Sequence, residues 1–151
     1  MILLDANILV HAHAVDSPFH EGARALRDQA AQGQLEACVS PQVLCEFFAV
    51  ITDERLIKPA LTPSQAKKEI ASYWSARQFR KILPKDTTLT RVVSLLDRRG
   101  VKRGDIFDLF LVATMLDNEV RTIYTQNTKD FEIYHELHVI NPLIPSTHRS
   151  S

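Results

Sequence analysis

The chain has 151 residues, 45% of them hydrophobic and 24% charged, with 18 Lys and Arg balanced by 18 Asp and Glu, which suits one domain with a substantial core and argues against extensive disorder. No apolar run approaches the roughly 20 residues that a membrane-spanning helix needs. The N-terminus also lacks the basic stretch of an export signal, so a cytoplasmic protein with no membrane partner is expected.

In chain order the pattern alternates strand and helix, which predicts an α/β fold with a parallel sheet covered by helices. Residues 2–4 make the first strand. A helix is expected over 18–32, entered through Asp16, Ser17 and Pro18 and stopped at Gly33. Residues 35–39 read as the second strand. Ser40 and Pro41 then supply an N-cap and a first-turn proline for a helix reaching Thr52. Thr62 and Pro63 repeat that signal for a helix reaching Phe79. Ile82 and Leu83 read as a short strand, and 88–99 as a helix stopped by Gly100. Residues 106–118 form a helix that is apolar on nearly all sides and therefore central. A strand at 122–124, a helical turn near 129–134 and a last strand at 138–140 follow. One domain is expected over 1–145, with a mobile tail at 146–151.

Four acids sit where such a domain does not normally put charge. Asp5 ends the first apolar strand, Glu46 lies inside the apolar helix after Ser40, Asp108 opens the central helix, and Asp130 follows the strand at 122–124. Two unit charges about 4 Å apart repel by roughly 4 kcal/mol at an effective dielectric near 20. A divalent cation removes that cost, so carboxylates recurring at strand ends suggest a Mg²⁺ or Mn²⁺ site acting on phosphates. Open parallel sheets bind ligands beyond the carboxyl ends of their strands, and Asp5, Ser40 and Asn127 all lie just past such ends.

Each acid also has a plainer explanation. Asp5 is a good turn or helix cap, with Asn7 beside it to orient the carboxylate or a water. Glu46 shares a helix face with Val43 and Val50, so it either reaches the helix edge or faces a cation. Asp105 and Asp108 have capping-box spacing; Asp105 is expected to cap and Asp108 to face the cleft. Asn127 or Thr128 can cap a turn that places Asp130 in its first residues. His11, His13 and His20 lack a further ligand set and make a weak zinc signal. Cys38 and Cys45 form no CxxC pair and are expected to be small buried hydrophobes. Four glycines leave no phosphate-binding loop, and there is no serine nucleophile elbow or DxD nucleophile motif. Residues 77–103 carry nine basic residues and two acids, a net +7 that leaves −7 for the rest. Such a run is either a solvated helix face or, beside an acidic site, a track for a nucleic-acid backbone. Arg98, Arg99, Lys102 and Arg103 are its densest part.

The order and setting of the acids resemble those of the PIN-domain ribonucleases, in particular the VapC toxins of bacterial toxin–antitoxin pairs. MILLDANILV at residues 1–10 looks like that family's opening strand and first acid, VSPQVLCEFF at 39–48 like its second motif, IFDLFLVAT at 106–114 like its third, and YTQNTKDF at 124–131 like its fourth. VINP at 139–142 looks like the closing strand. The resemblance implies a three-layer α/β/α fold and a Mg²⁺- or Mn²⁺-dependent endoribonuclease leaving 5′-phosphate and 3′-hydroxyl ends. It carries Asp5, Glu46 and Asp108 over as core acids and metal ligands, with Asn127 and Asp130 completing the pocket. It further implies a cognate VapB-like antitoxin and a homodimer. Asn127 departs from the aspartate that many PIN nucleases carry there, which bears on a second metal. A PIN nuclease without a toxin role, or a PIN-like RNA- or protein-binding module without activity, is the alternative.

Overall fold

The apolar triplet at the N-terminus becomes the middle of a sheet. In the computed structural model, which describes residues 1–98 and 101–145, β1 (Ile2–Leu4) pairs in parallel with β2 (Ala37–Val39) on one side and β4 (Thr122–Tyr124) on the other. Strand β3 (Phe79–Lys81) extends the sheet beyond β2 and β5 (His138–Ile140) beyond β4, giving the all-parallel order β3-β2-β1-β4-β5. Ile2 stands opposite Ala37 and Thr122, and Leu3 opposite Cys38 and Ile123. Leu3, Leu4, Ile123 and all of β2 are buried, as strands covered on both faces must be.

Six helices cover the described part of the sheet: α1 (Ala6–His13), α2 (His20–Ala31), α3 (Pro41–Ile51), α4 (Pro63–Ser75), α5 (Thr88–Leu96) and α6 (Ile106–Asp117). The chain steps outward from β1 to β2 to β3 through α1–α4, then reverses across the sheet to β4 through α5 and α6. Right-handed crossovers put helices on opposite faces when the direction reverses. The packing agrees: α1 lies against α2 and α3, α3 against α4, and α5 against α6. The result is the expected α/β/α sandwich, with its topological switch between β1 and β4, where ligands of such sheets bind.

Local chemistry explains most boundaries. Ser40 caps α3 through Oγ, which accepts the Val43 N–H at 3.2 Å, and Pro41 occupies the first turn. Thr62 and Gln65 form a reciprocal capping box at α4. Helix α6 is buried on nearly every side by Leu109, Leu111, Val112, Ala113 and Met115.

Several expectations need correction. Residues 6–13, for which the sequence pattern suggests no element, form α1, burying Ala6, Ile8, Leu9 and Ala12 at helical spacing. The third strand is Phe79–Lys81 rather than Ile82 and Leu83. Helix α4 ends at Ser75 because Ala76 is already extended (ψ 121°). That lets Phe79 reach the core edge-on to Tyr73, with ring centroids 5.3 Å apart, while Arg80 points to solvent. Asp105 does not cap α6. A 3₁₀ turn, Arg103–Asp105, precedes that helix, and the Asp105 side chain turns back to accept the Lys102 N–H at 2.9 Å. Cys38 is buried as expected, and burial pushes its thiol up to about 12, but Cys45 is exposed on the outer face of α3. The expected stop at Gly100 and the tail 146–151 lie outside the described residues.

Helices α5 and α6 are joined by one acid. The Asp117 carboxylate, only 3% exposed, accepts from Thr88 Oγ1 at 2.7 Å, Thr87 Oγ1 at 2.9 Å and Arg91 Nε. These donors, Thr88 first, hold its carboxyl below the ordinary value of 3.8. Asp117→Ala is expected to lower unfolding free energy by roughly 1–3 kcal/mol at neutral pH. Because the folded-state value is depressed, the contribution is fully present above 3.8 and fades as pH falls through the folded value. Urea denaturation of both proteins at pH 7 and near pH 3 checks this. An equal deficit at the two pH values would contradict it.

Candidate active site

At the carboxyl ends of β1 and β4 a cleft of about 430 Å³ opens, lined by Asp5, Asn7, Val10, Glu46, Ala49, Val50, Asp108, Asn127, Asp130 and Phe131. The four acids singled out in the sequence therefore meet. Asp5 arrives from the end of β1, Glu46 from the second turn of α3, and Asp108 from the first turn of α6. Asp130 ends a 3₁₀ turn, Thr128–Asp130, after β4. No Lys, Arg or His stands among the lining residues.

Asp5 is the most enclosed, at 6% exposure. It is also the N-cap of α1, so the plain and the functional readings of this residue coincide. Its Oδ1 accepts the Ala6 N–H at 2.8 Å and its Oδ2 accepts the Thr125 hydroxyl at 2.7 Å and the Asn7 amide at 3.4 Å. Burial raises its carboxyl above 3.8, these three donors oppose the rise, and the Asp130 charge adds to it. Burial likewise raises Glu46, against a hydrogen bond from Gln42 and with repulsion from Asp5. Asp108 is pushed to about 6, first by burial and then by Asp130, Asp5, Glu46 and Asp105. All three other cleft acids are thus close enough to Asp108 to disfavour its charge.

Asn7 orients rather than stands free. Its Nδ2 also donates to Thr125 Oγ1 at 3.1 Å, and its Oδ1 accepts the Gln126 N–H at 3.1 Å. Asn127 lines the cleft as an exposed amide whose backbone N–H donates to Thr125 Oγ1 at 3.0 Å. Ser40 does not line the cleft; its hydroxyl is spent on the α3 cap. In the basic segment, Arg98 is engaged by both oxygens of Glu136, lies over the Tyr134 ring at 5.9 Å and is only about one quarter exposed. Lys102 and Arg103 are exposed, and Arg99 lies outside the described residues. The histidines are taken up locally. His11 bonds to Ser17 Oγ at 2.7 Å and Gln126 Oε1 at 2.5 Å, His13 meets the Phe47 ring, and His20 contacts the His11 carbonyl.

Two site residues are not apparent in the sequence. Thr125 is fully buried and binds both Asp5 and Asn7; its signal is a hydroxyl directly after a strand end, the position Asp5 holds on β1. Gln42 is the other, four residues before Glu46 and so on the same helix face.

The donor set suits a hard divalent cation: carboxylates and amide oxygens, no thiol, and like charges that raise one another. Among the described residues no three His, Cys, Asp or Glu side chains are already grouped as a metal cage. The acids ring the cleft rather than converge on a point, which fits an ion that keeps several of its waters, as Mg²⁺ does.

Fold and site together define a class. A family model described as PIN domain matches residues 2–136, and the chain belongs to that family. Among curated relatives it is similar to the VapC ribonuclease Mb2897 of Mycobacterium bovis, 25% identical over 151 residues covering 98% of this chain and 99% of the relative. It is also similar to ribonuclease VapC48 of Mycobacterium tuberculosis, 26% identical over 141 residues covering 91% and 94%. Among solved structures it shares the fold of Mycobacterium tuberculosis VapC20, described as a Sarcin-Ricin loop cleaving toxin, with a TM-score of 0.67 at 14% identity over 89% of this chain and 95% of that one. VapBC2 from Rickettsia felis bound to a promoter DNA fragment matches with a TM-score of 0.64 at 20% identity, over 93% and 98%.

The electrostatics of the cleft have a measurable consequence. With its folded carboxyl near 6 against 3.8, Asp108 binds its proton more tightly in the folded state, so without metal this group lowers stability as pH rises through that interval. Asp108→Asn is expected to melt higher than the wild type in EDTA at pH 7.5, with the gap closing near pH 4. Calorimetry at the two pH values checks this, and a variant that melts lower at pH 7.5 would refute the repulsion.

Proposed function

We propose that this protein is a metal-dependent endoribonuclease that hydrolyses RNA phosphodiester bonds as the toxin of a toxin–antitoxin pair. The observation that carries the reading is the convergence of Asp5, Glu46, Asp108 and Asp130 on one cleft without a basic partner. Membership of the PIN domain family and similarity to proteins named VapC ribonucleases support it. The alternative, a PIN-like module that only binds, leaves four mutually repelling acids without a purpose.

Asp5 and Asp108 are assigned as ligands of Mg²⁺ or Mn²⁺, with Glu46 binding directly or through water and Asp130 adding negative charge at the rim. Such an ion supplies a more acidic water and neutralises charge on phosphoryl oxygens. The chain's own residues do the rest. Thr125, Asn7 and the Ala6 N–H hold the Asp5 carboxylate in one orientation. Asn127, exposed and neutral, offers a donor to a phosphate oxygen that an aspartate there would repel. Lys102 and Arg103, exposed just before α6, are assigned to the RNA backbone; Arg98 is withdrawn from that role by Glu136.

The proposed antitoxin is a VapB-like protein, a reading supported by the VapBC2 complex among the similar structures; the acidic cleft is its proposed seat, because a basic segment there would offset the charge of the acids. A homodimer is the proposed assembly. The outer face of α5 supports it, because Leu89, Val93 and Leu96 form an exposed apolar stripe at helical spacing.

Purified protein should cleave RNA with Mg²⁺ or Mn²⁺ and stop with EDTA, and Asp5→Asn should lose activity by orders of magnitude with the fold retained. Expression of the wild type should arrest bacterial growth, and a co-expressed antitoxin should relieve it. Full cleavage by a nuclease-free Asp5→Asn preparation would sink the enzymatic assignment; unhindered growth with active enzyme would remove only the toxin role.

Neutral replacement of Lys102 and Arg103 should flatten the salt dependence of RNA binding by roughly 0.7 in log–log slope for each single-strand phosphate that is no longer neutralised. Measured on Asp5→Asn protein to avoid cleavage, an unchanged slope would mean these residues are only a solvated face.

A further inference from the structure

Glu46 and Asp108 come from helices in opposite layers, and among the described residues α3 and α6 are not broadly packed against each other. Among the described residues, one side chain makes the hydrogen bond that links them. Gln42, in the first turn of α3, donates from Nε2 to Glu46 Oε1 at 3.3 Å and to the Phe107 carbonyl at 2.7 Å, one residue before Asp108. Its own Oε1 is buried and, among the described residues, has no hydrogen-bond partner. The amide cannot be turned over to relieve this, because Oε1 would then face a carboxylate and a carbonyl, two acceptors. Buried acceptors are nearly always satisfied, and an exception calls for a reason. The reason here is that both hydrogens of Nε2 are committed to the acid site.

We propose that Gln42 is a positioning residue of the metal site, tying the Glu46 carboxylate to the first turn of α6 and so setting the separation of Glu46 and Asp108. This rests on the metal-nuclease reading. Without the tie, Glu46 is free to swing away from the other acids, as like charges favour before an ion binds. Outer partners that orient metal-binding carboxylates typically govern affinity by about 10- to 100-fold.

The test compares wild type, Gln42→Leu and, as a control on the same helix, Cys45→Ser. Mn²⁺ affinity is read by titration calorimetry, thermal melting in EDTA, and RNA cleavage as a function of Mn²⁺. Gln42→Leu should bind Mn²⁺ about 10- to 100-fold more weakly, regain most of its rate at high Mn²⁺, and melt in EDTA no lower than the wild type, since an unpaired buried oxygen has gone. Cys45→Ser should match the wild type in all three. Gln42→Met serves the same comparison where Gln42→Leu does not fold. Unchanged Mn²⁺ affinity in a folded variant overturns the proposal, as does a loss of affinity matched by an equal fall in melting temperature or shared by Cys45→Ser. A wild type that binds no Mn²⁺ overturns the metal-nuclease reading itself, and is thereby distinguished from failure of the Gln42 assignment alone.

Discussion

A carboxylate just past the buried end of a central strand has to be satisfied by whatever the neighbouring strand offers, and the rest of the site follows from how that is done. Asp5 leaves β1 at the switch point, where the chain diverges in two directions. The β1–β4 ladder carries on past the last strand residues, since the Asp5 N–H donates to the Tyr124 carbonyl at 3.0 Å and the Thr125 hydroxyl then donates to Asp5. The same hydroxyl accepts from the Asn127 N–H, and Asn7 accepts from the Gln126 N–H. The backbone leading to Asp130 thus hangs from the groups that solvate Asp5. The far side of that segment is gripped independently by Arg98 on Glu136 and Tyr134. Holding it at both ends keeps Asp130 near acids that repel it.

Those repulsions put a fold-level tension into the apo protein. Desolvation and like charge both act on Asp108, and no buried cation answers them in the cleft. Elsewhere the chain solves the same problem conventionally: Asp117 collects two hydroxyls and an arginine, and its carboxyl is held low. The contrast between Asp117, which has an arginine partner, and the cleft acids, which hydrogen-bond only to neutral donors where they are bonded at all, sets the candidate site apart from a structural carboxylate more sharply than burial does.

Much of this is legible from residue order. Strands 2–4, 122–124 and 138–140 can be read to the residue, because short segments with β-branched residues flanked by turn chemistry leave little choice. Ser40–Pro41 and Thr62–Pro63 mark their helices through local capping, which needs no tertiary information. The cleft acids stand out because charge interrupts otherwise apolar stretches. What escapes depends on distance in sequence. The Arg98–Glu136 pair spans 38 residues, and nothing in the run of basic residues 77–103 marks which members have partners. Thr125 becomes a site residue only once β1 and β4 are adjacent. Helix α1 is obscured for a different reason: its histidines draw attention as metal ligands and hide the apolar spacing beneath them. The strand at 79–81 is hidden by Arg80 and Lys81, charges that an edge strand tolerates and a central one does not.

Those edges have a consequence for recognition. Among the described residues every strand is three residues long, and the outermost two, β3 and β5, carry Arg80, Lys81 and His138. An incoming extended peptide would find only a few open backbone groups on either border, which makes strand addition a poor way to grip this molecule. Any tight partner must instead read side chains, through helix faces or the mouth of the cleft. Affinity is thereby concentrated in surface side chains and detached from the regular backbone of the sheet. One scaffold can then support many mutually exclusive pairings, each altered by surface substitutions that leave the buried core alone.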